Sequence, residues 1–143
     1  MFLRKMLAIS VCLALLIAAT PNATAYKGHE LSRNDIVDFT LIDQTGENFT
    51  LSAMDSEVTV VSFIFTSCPD VCPVITQSLR LVQEGLSPEA VDSVGFISIS
   101  VDPDRDTPEA LTQYTERHGV SWPHLTGDKD VLADIYRNFG ILV

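Results

Sequence analysis

Two runs of β-branched and aromatic residues, Val58 to Thr66 (VTVVSFIFT) and Val94 to Val101 (VGFISISV), constrain this chain more than any other feature. Each is strand-length, almost continuously apolar and too short for an ordinary buried helix. An unbroken apolar run is the pattern of a strand covered on both faces. Between the two runs the period changes: Ile75, Leu79, Val82 and Leu86 recur at helical spacing from Pro73 onward. Strand, helix, strand with this composition predicts parallel strands joined by a right-handed crossover, and so an α/β fold.

The flanks extend the pattern. Phe39 to Ile42 and Asn48 to Leu51 are short strand patterns separated by Asp43-Gln44-Thr45-Gly46, which predicts an N-terminal β-hairpin. After the second long run, Asp102 to Asp106 makes a loop, and Thr107 is placed to cap a helix with Pro108 at its first position. Leu111, Tyr114 and His118 share one face of that helix, and Gly119 ends it. Trp122 to Leu125 reads as a short extended piece. Asp128 opens a last helix carrying Val131, Leu132, Ile135, Tyr136 and Phe139, closed by Gly140. Residues 38–143 therefore read as one domain, preceded by a polar, flexible segment at 26–37.

The N-terminus sets the compartment. Arg4 and Lys5 precede an apolar stretch from Met6 to Ala19, too short for a comfortable membrane span, and Ala23-Thr24-Ala25 is a small-x-small cleavage site. Residues 1–25 are expected to be a signal peptide, with a short membrane anchor as the alternative. Cys12 lies within it and leaves with it. The mature protein is then expected to be exported, any membrane association running through the N-terminal segment. With 19 acidic against 9 basic residues the formal net charge is −10. That balance argues against nucleic acid and anionic lipid as partners and suits a basic one.

Export leaves two cysteines, Cys68 and Cys72, at the carboxyl end of the first long strand, where open α/β sheets bind their ligands. Both precede a proline, which pushes them away from helical backbone. Pro73 suits a first helical position, so Cys72 should fall near the N-cap, where the helix dipole favours its thiolate. Three intervening residues is one more than the usual redox dithiol. The pair can close a disulfide, staple a turn, or converge on one soft ion. Paired thiolates suit Cu(I), whereas zinc would want four ligands. Nothing in the spacing brings His29, His118 or His124 to Cys68. Asp102 to Asp106 is expected to cap the next helix and pair Arg105 locally; the alternative is that it faces the cysteine loop and tunes the thiols.

Three ordered motifs carry a resemblance. Phe65-Thr66-Ser67-Cys68-Pro69-Asp70-Val71-Cys72-Pro73 resembles the signature of the SCO/SenC family of copper-binding, thioredoxin-like proteins. Ser98 to Pro108 (SISVDPDRDTP) is similar to that family's second motif, and Trp122 with Leu125-Thr126-Gly127 to its third. The resemblance implies a thioredoxin-like fold and copper held by Cys68, Cys72 and a histidine well downstream of the third motif. It further implies a role in assembling the binuclear copper centre of cytochrome c oxidase, the partner being that enzyme's copper-bearing subunit or another copper or thiol protein. Family members continue with a strand pair and a closing helix. The chain is thus expected to be incomplete at its C-terminus, without the third ligand, and residues 26–143 to be unstable alone. A thiol–disulfide oxidoreductase using the same cysteines and a non-functional fragment are the competing readings.

Overall fold

A computed structural model describes residues 36–143. The expected signal peptide, Cys12, His29 and the segment up to residue 35 lie outside the described residues. The hairpin forms as expected from β1 (Thr40–Asp43) and β2 (Asn48–Thr50). The Asp43 carboxylate accepts from the Thr45 and Glu47 N–H groups at 2.8 and 3.1 Å, and Gly46 takes the left-handed conformation at φ +87° that closes the turn. There follow β3 (Val58–Ile64), α1 (Val71–Glu84), β4 (Val94–Ser100), α2 (Pro108–His118), β5 (His124–Thr126) and α3 (Lys129–Asn138).

The five strands form one sheet in the order β2-β1-β5-β4-β3. β3, β4 and β5 run parallel, and the hairpin joins antiparallel through β1 against β5. The alternation of each strand sorts residues to two faces. On one face Leu132, Ile135 and Tyr136 of α3 pack with Ile97, Ile99, Leu125, Phe39 and Leu41. On the other, Ile64, Cys68, Cys72, Leu111 and Tyr114 form a second cluster beneath α1 and α2. The serines interrupting the two apolar runs lie inside this second face. Ser62 and Ser98 share a hydrogen bond at 2.8 Å, and the Trp122 indole N–H donates to Ser98 at 2.8 Å, so the buried hydroxyls are satisfied.

Two expectations need correction. Val58 to Thr66 reads as covered on both faces, yet Val58 is exposed and only Ser62 and Ile64 of β3 are buried. Val82, one of the apolar residues at helical spacing in α1, is also exposed. The buried residues of α1 are Cys72 and Thr76, and Val82 lies about 80° round the helix from Cys72 at 100° per residue.

Thr107 caps α2 as expected, its hydroxyl accepting from the Ala110 N–H at 3.3 Å. Thr107→Ala should therefore lower stability by about 1 kcal/mol, seen as a shifted urea midpoint with an unchanged slope. An unshifted midpoint would show that the cap contributes nothing.

Candidate metal centre

The site is built where β3 leaves the sheet. The Cys68 N–H donates to the Phe65 carbonyl at 3.1 Å, folding the chain back above the strand end. Asp70 is the N-cap of α1, so Val71, Cys72 and Pro73 are its first three residues. This corrects the expectation that Pro73 would open the helix with Cys72 outside it. The first four N–H groups of a helix have no intrahelical acceptor, so a proline at the third position forfeits no bond. That removes the main obstacle to the earlier start, and Cys72 accepts helical backbone although it precedes a proline.

The early start inverts the two thiols. The Cys72 N–H donates to Cys68 Sγ at 3.4 Å. The Asp70 N–H is the strongest influence holding the Cys68 thiol below its ordinary value; the Cys72 N–H, the Cys72 thiol and the Val71 N–H add to it, and desolvation opposes them. Burial pushes the Cys72 thiol up, reinforced by Cys68 and by the charge of Asp106, with the Phe65 N–H acting the other way. The helix terminus therefore favours the thiolate of Cys68, not that of Cys72. Both are free and buried, with 8% and 4% of their surface exposed. At neutral pH iodoacetamide should alkylate Cys68 at least about tenfold faster than Cys72, as read by peptide mass mapping. Equal rates would contradict the asymmetry.

Asp106 lies wholly buried behind the loop. Its carboxylate accepts from the Thr66 N–H at 3.1 Å, the Thr66 hydroxyl at 2.6 Å and the Ser100 hydroxyl at 2.5 Å. It thus ties the segment that follows β3 to the end of β4. The Arg105–Asp102 pair at 2.8 Å is the local contact expected of this loop, but Asp106 takes the alternative role and faces the cysteine segment. Tyr136 donates to the Ser100 carbonyl at 2.6 Å from the opposite face. Burial, then Asp106 and Asp102, push its phenol up to about 12. Tyr114 closes the other side of the cysteine cluster, sharing a 2.8 Å hydrogen bond with Thr76 of α1.

Of the described histidines, His118 and His124 both pack against Tyr114 of the thiol cluster. His118 packs its ring 4.3 Å from that of Tyr114 at the end of α2. His124 is wholly buried on β5, its Nδ1 2.9 Å from the Trp122 carbonyl. Among the described residues no three His, Cys, Asp or Glu side chains gather closely enough to hold a metal. Cys68 and Cys72 lie in one buried cluster, a pair of soft sulfurs beside the N-terminus of α1 that could hold a soft ion. A surface cleft of about 330 Å³ bordered by Val37, Phe39, Val131 and Ile135 contains no thiol or imidazole.

The family model described as SCO1/SenC matches residues 29–143. The chain belongs to the SCO1/SenC family. It is 36% identical over 104 residues to a SCO2-like protein of Rickettsia typhi, covering 73% of this chain and 51% of that one. Among solved structures it resembles BsSco, a Sco-family protein in which a disulfide switch was identified, with a TM-score of 0.65 at 33% identity over 76% of this chain and 66% of that one. It resembles yeast Sco1 with copper bound with a TM-score of 0.65 at 29% identity, over 72% and 65% of the two chains. The thioredoxin-like α/β fold implied by the motifs is the fold observed. The chain spans about half the length of the curated relatives it matches.

Proposed function

We propose that this chain binds copper as Cu(I) through the thiolates of Cys68 and Cys72 and serves in assembling the copper centre of cytochrome c oxidase. The observation that carries the reading is the pair of free thiols in one buried cluster at the carboxyl end of β3, with the N-terminus of α1 aimed at Cys68. Soft thiolates select Cu(I), and backbone N–H groups around a sulfur offset the charge it carries when deprotonated. The copper-bound structure of yeast Sco1 supports the choice of metal. The partner would be the copper-bearing subunit of the oxidase or another copper or thiol protein, and the acidic charge of this chain suits a basic docking surface. The leader-like N-terminus supports export to the periplasm or cell envelope. Titrating the reduced chain with Cu(I) against bicinchoninate tests the proposal: one Cu(I) per chain is expected, and none in Cys68→Ser/Cys72→Ser. Undiminished binding in that variant would end it.

The asymmetry of the two thiols favours a second reading, thiol–disulfide exchange. The Cys68 thiolate would attack a partner disulfide, forming a mixed disulfide and releasing one partner thiolate. The Cys72 thiol, losing its proton, would then displace the second partner sulfur and close the Cys68–Cys72 bond. Cys72→Ser should trap the mixed disulfide. Failure to trap any would count against this reading and leave copper binding intact.

A further inference from the structure

Two hydroxyls of α1 are paired differently. Ser78 donates to the carbonyl of Val74, four residues back, at 2.8 Å, the ordinary outlet for a hydroxyl inside a helix. Thr76 has the same option in the carbonyl of Cys72 and does not take it. Its oxygen lies instead 2.8 Å from the Tyr114 hydroxyl of α2, its one side-chain partner among the described residues. Both groups are buried, so neither turns to water. The choice matters because of what the Cys72 carbonyl carries. Cys72 and Thr76 are the buried residues of α1, one turn apart on its inner face. Cys68 stands outside the helix, held by its N–H on the Phe65 carbonyl at 3.1 Å. The two sulfurs therefore ride on separate pieces of backbone, and a bend in the first turn of α1 moves one without the other. A threonine that bonds back four residues bends its helix in this way.

We propose that Tyr114 is a positioning residue of the thiol site: its hydroxyl engages that of Thr76, keeps it off the Cys72 carbonyl and so holds Cys72 at the spacing from Cys68 that one Cu(I) requires. The inference rests on the copper reading above and assigns a determinant of that site. Tyr114 shares the buried cluster of both cysteines but gives nothing to the metal. Its ring is packed 4.3 Å from that of His118 and 5.7 Å from that of His124, so the hydroxyl is presented from a fixed support. Without that hydroxyl, Thr76 is a buried group with an unpaired donor, and the Cys72 carbonyl is the acceptor that helix geometry offers it. The bent turn then competes with the straight one, and the apparent affinity falls with the share of chains left straight. Losing the Tyr114 hydroxyl alone therefore differs from losing both hydroxyls, which leaves nothing to bond back to Cys72.

The test measures Cu(I) affinity of the reduced full chain by bicinchoninate competition, in the wild type, in Tyr114→Phe and in Tyr114→Phe/Thr76→Val. Tyr114→Phe keeps the ring and should weaken binding about fivefold, the weight of one buried hydrogen bond. Adding Thr76→Val removes the hydroxyl that bends the helix and should restore affinity to within about twofold of the wild type. Unchanged or tighter binding in Tyr114→Phe overturns the proposal, as does a loss that Thr76→Val does not repair, which marks a role in packing alone. Thr76→Ser decides the matter if Tyr114→Phe does not fold. Serine keeps the hydroxyl but loses the branch that confines it, so it turns to the Cys72 carbonyl part of the time and Cu(I) should bind about threefold more weakly. Equal or tighter binding there overturns the proposal. A wild-type chain that binds no Cu(I) overturns both this and the copper reading, whereas stoichiometric wild-type binding with no loss in Tyr114→Phe overturns only the role of Tyr114.

Discussion

Acidifying the folded chain from about pH 7 to about pH 4 is expected to cost about 3 kcal/mol of stability through His124 alone. Burial pushes the imidazole down to about 4; the Trp122 carbonyl, held through Nδ1, opposes this, and nearby His118 adds to it. Nε2 is buried with no hydrogen-bond partner among the described residues, so a proton added there finds no acceptor among them. An unfolded histidine takes up its proton near its ordinary value of about 6.5. The folded value lies lower, so between the two the unfolded state binds more protons. Stability is fully present above about 6.5, falls with pH through the window down to about 4, and is level below it. Carboxylates titrate in the same range, so the measurement is a difference: urea melts across this range for the wild type and for His124→Gln. The wild type should lose about 3 kcal/mol more than the variant. Parallel curves would show that the ring titrates freely in the folded state.

Ile99→Ala should be the most damaging single truncation, at about 3 to 4 kcal/mol. Ile99 is fully buried in β4, paired with Phe63 of β3 on one side and Leu125 of β5 on the other, within the cluster that α3 covers. Removing its branched end deletes buried apolar surface from the middle of the sheet, where strands on both sides limit collapse into the gap. Val71→Ala, at an exposed position of α1, should change stability by less than about 0.5 kcal/mol. A loss below about 1 kcal/mol for Ile99→Ala would mean that the sheet relaxes into the space, contrary to the packing described.

The parts of the fold that repeat a period were legible in the sequence. Val58 to Thr66, the apolar residues after Pro73 and Val94 to Val101 identify β3, α1 and β4, and Asp43 to Gly46 identifies the hairpin turn. The order of the sheet was not legible, because β5 is three residues long and its pairing with β1 depends on contacts distant in the chain. The serine row was missed for a related reason. Ser62 and Ser98 read as interruptions of apolar strands until the Trp122 indole is seen to bond to Ser98. At the site, the two cysteines follow from their position after a buried strand. The reversal of their acidities does not, because it turns on whether α1 begins at Val71 or Pro73, a shift that proline statistics place wrongly here. Asp106 was hidden in a loop whose composition, Asp-Pro-Asp-Arg-Asp, is ordinary for turns and caps; only its zero exposure and its bonds to Thr66 and Ser100 set it apart.

The central claim is that Cys68 and Cys72 together hold Cu(I), and X-ray absorption at the copper edge of the loaded, reduced chain tests it most directly. Two sulfur neighbours per copper are predicted in the wild type and one in Cys68→Ser. A copper shell of nitrogen and oxygen alone, or a sulfur count that Cys68→Ser leaves unchanged, would contradict the account.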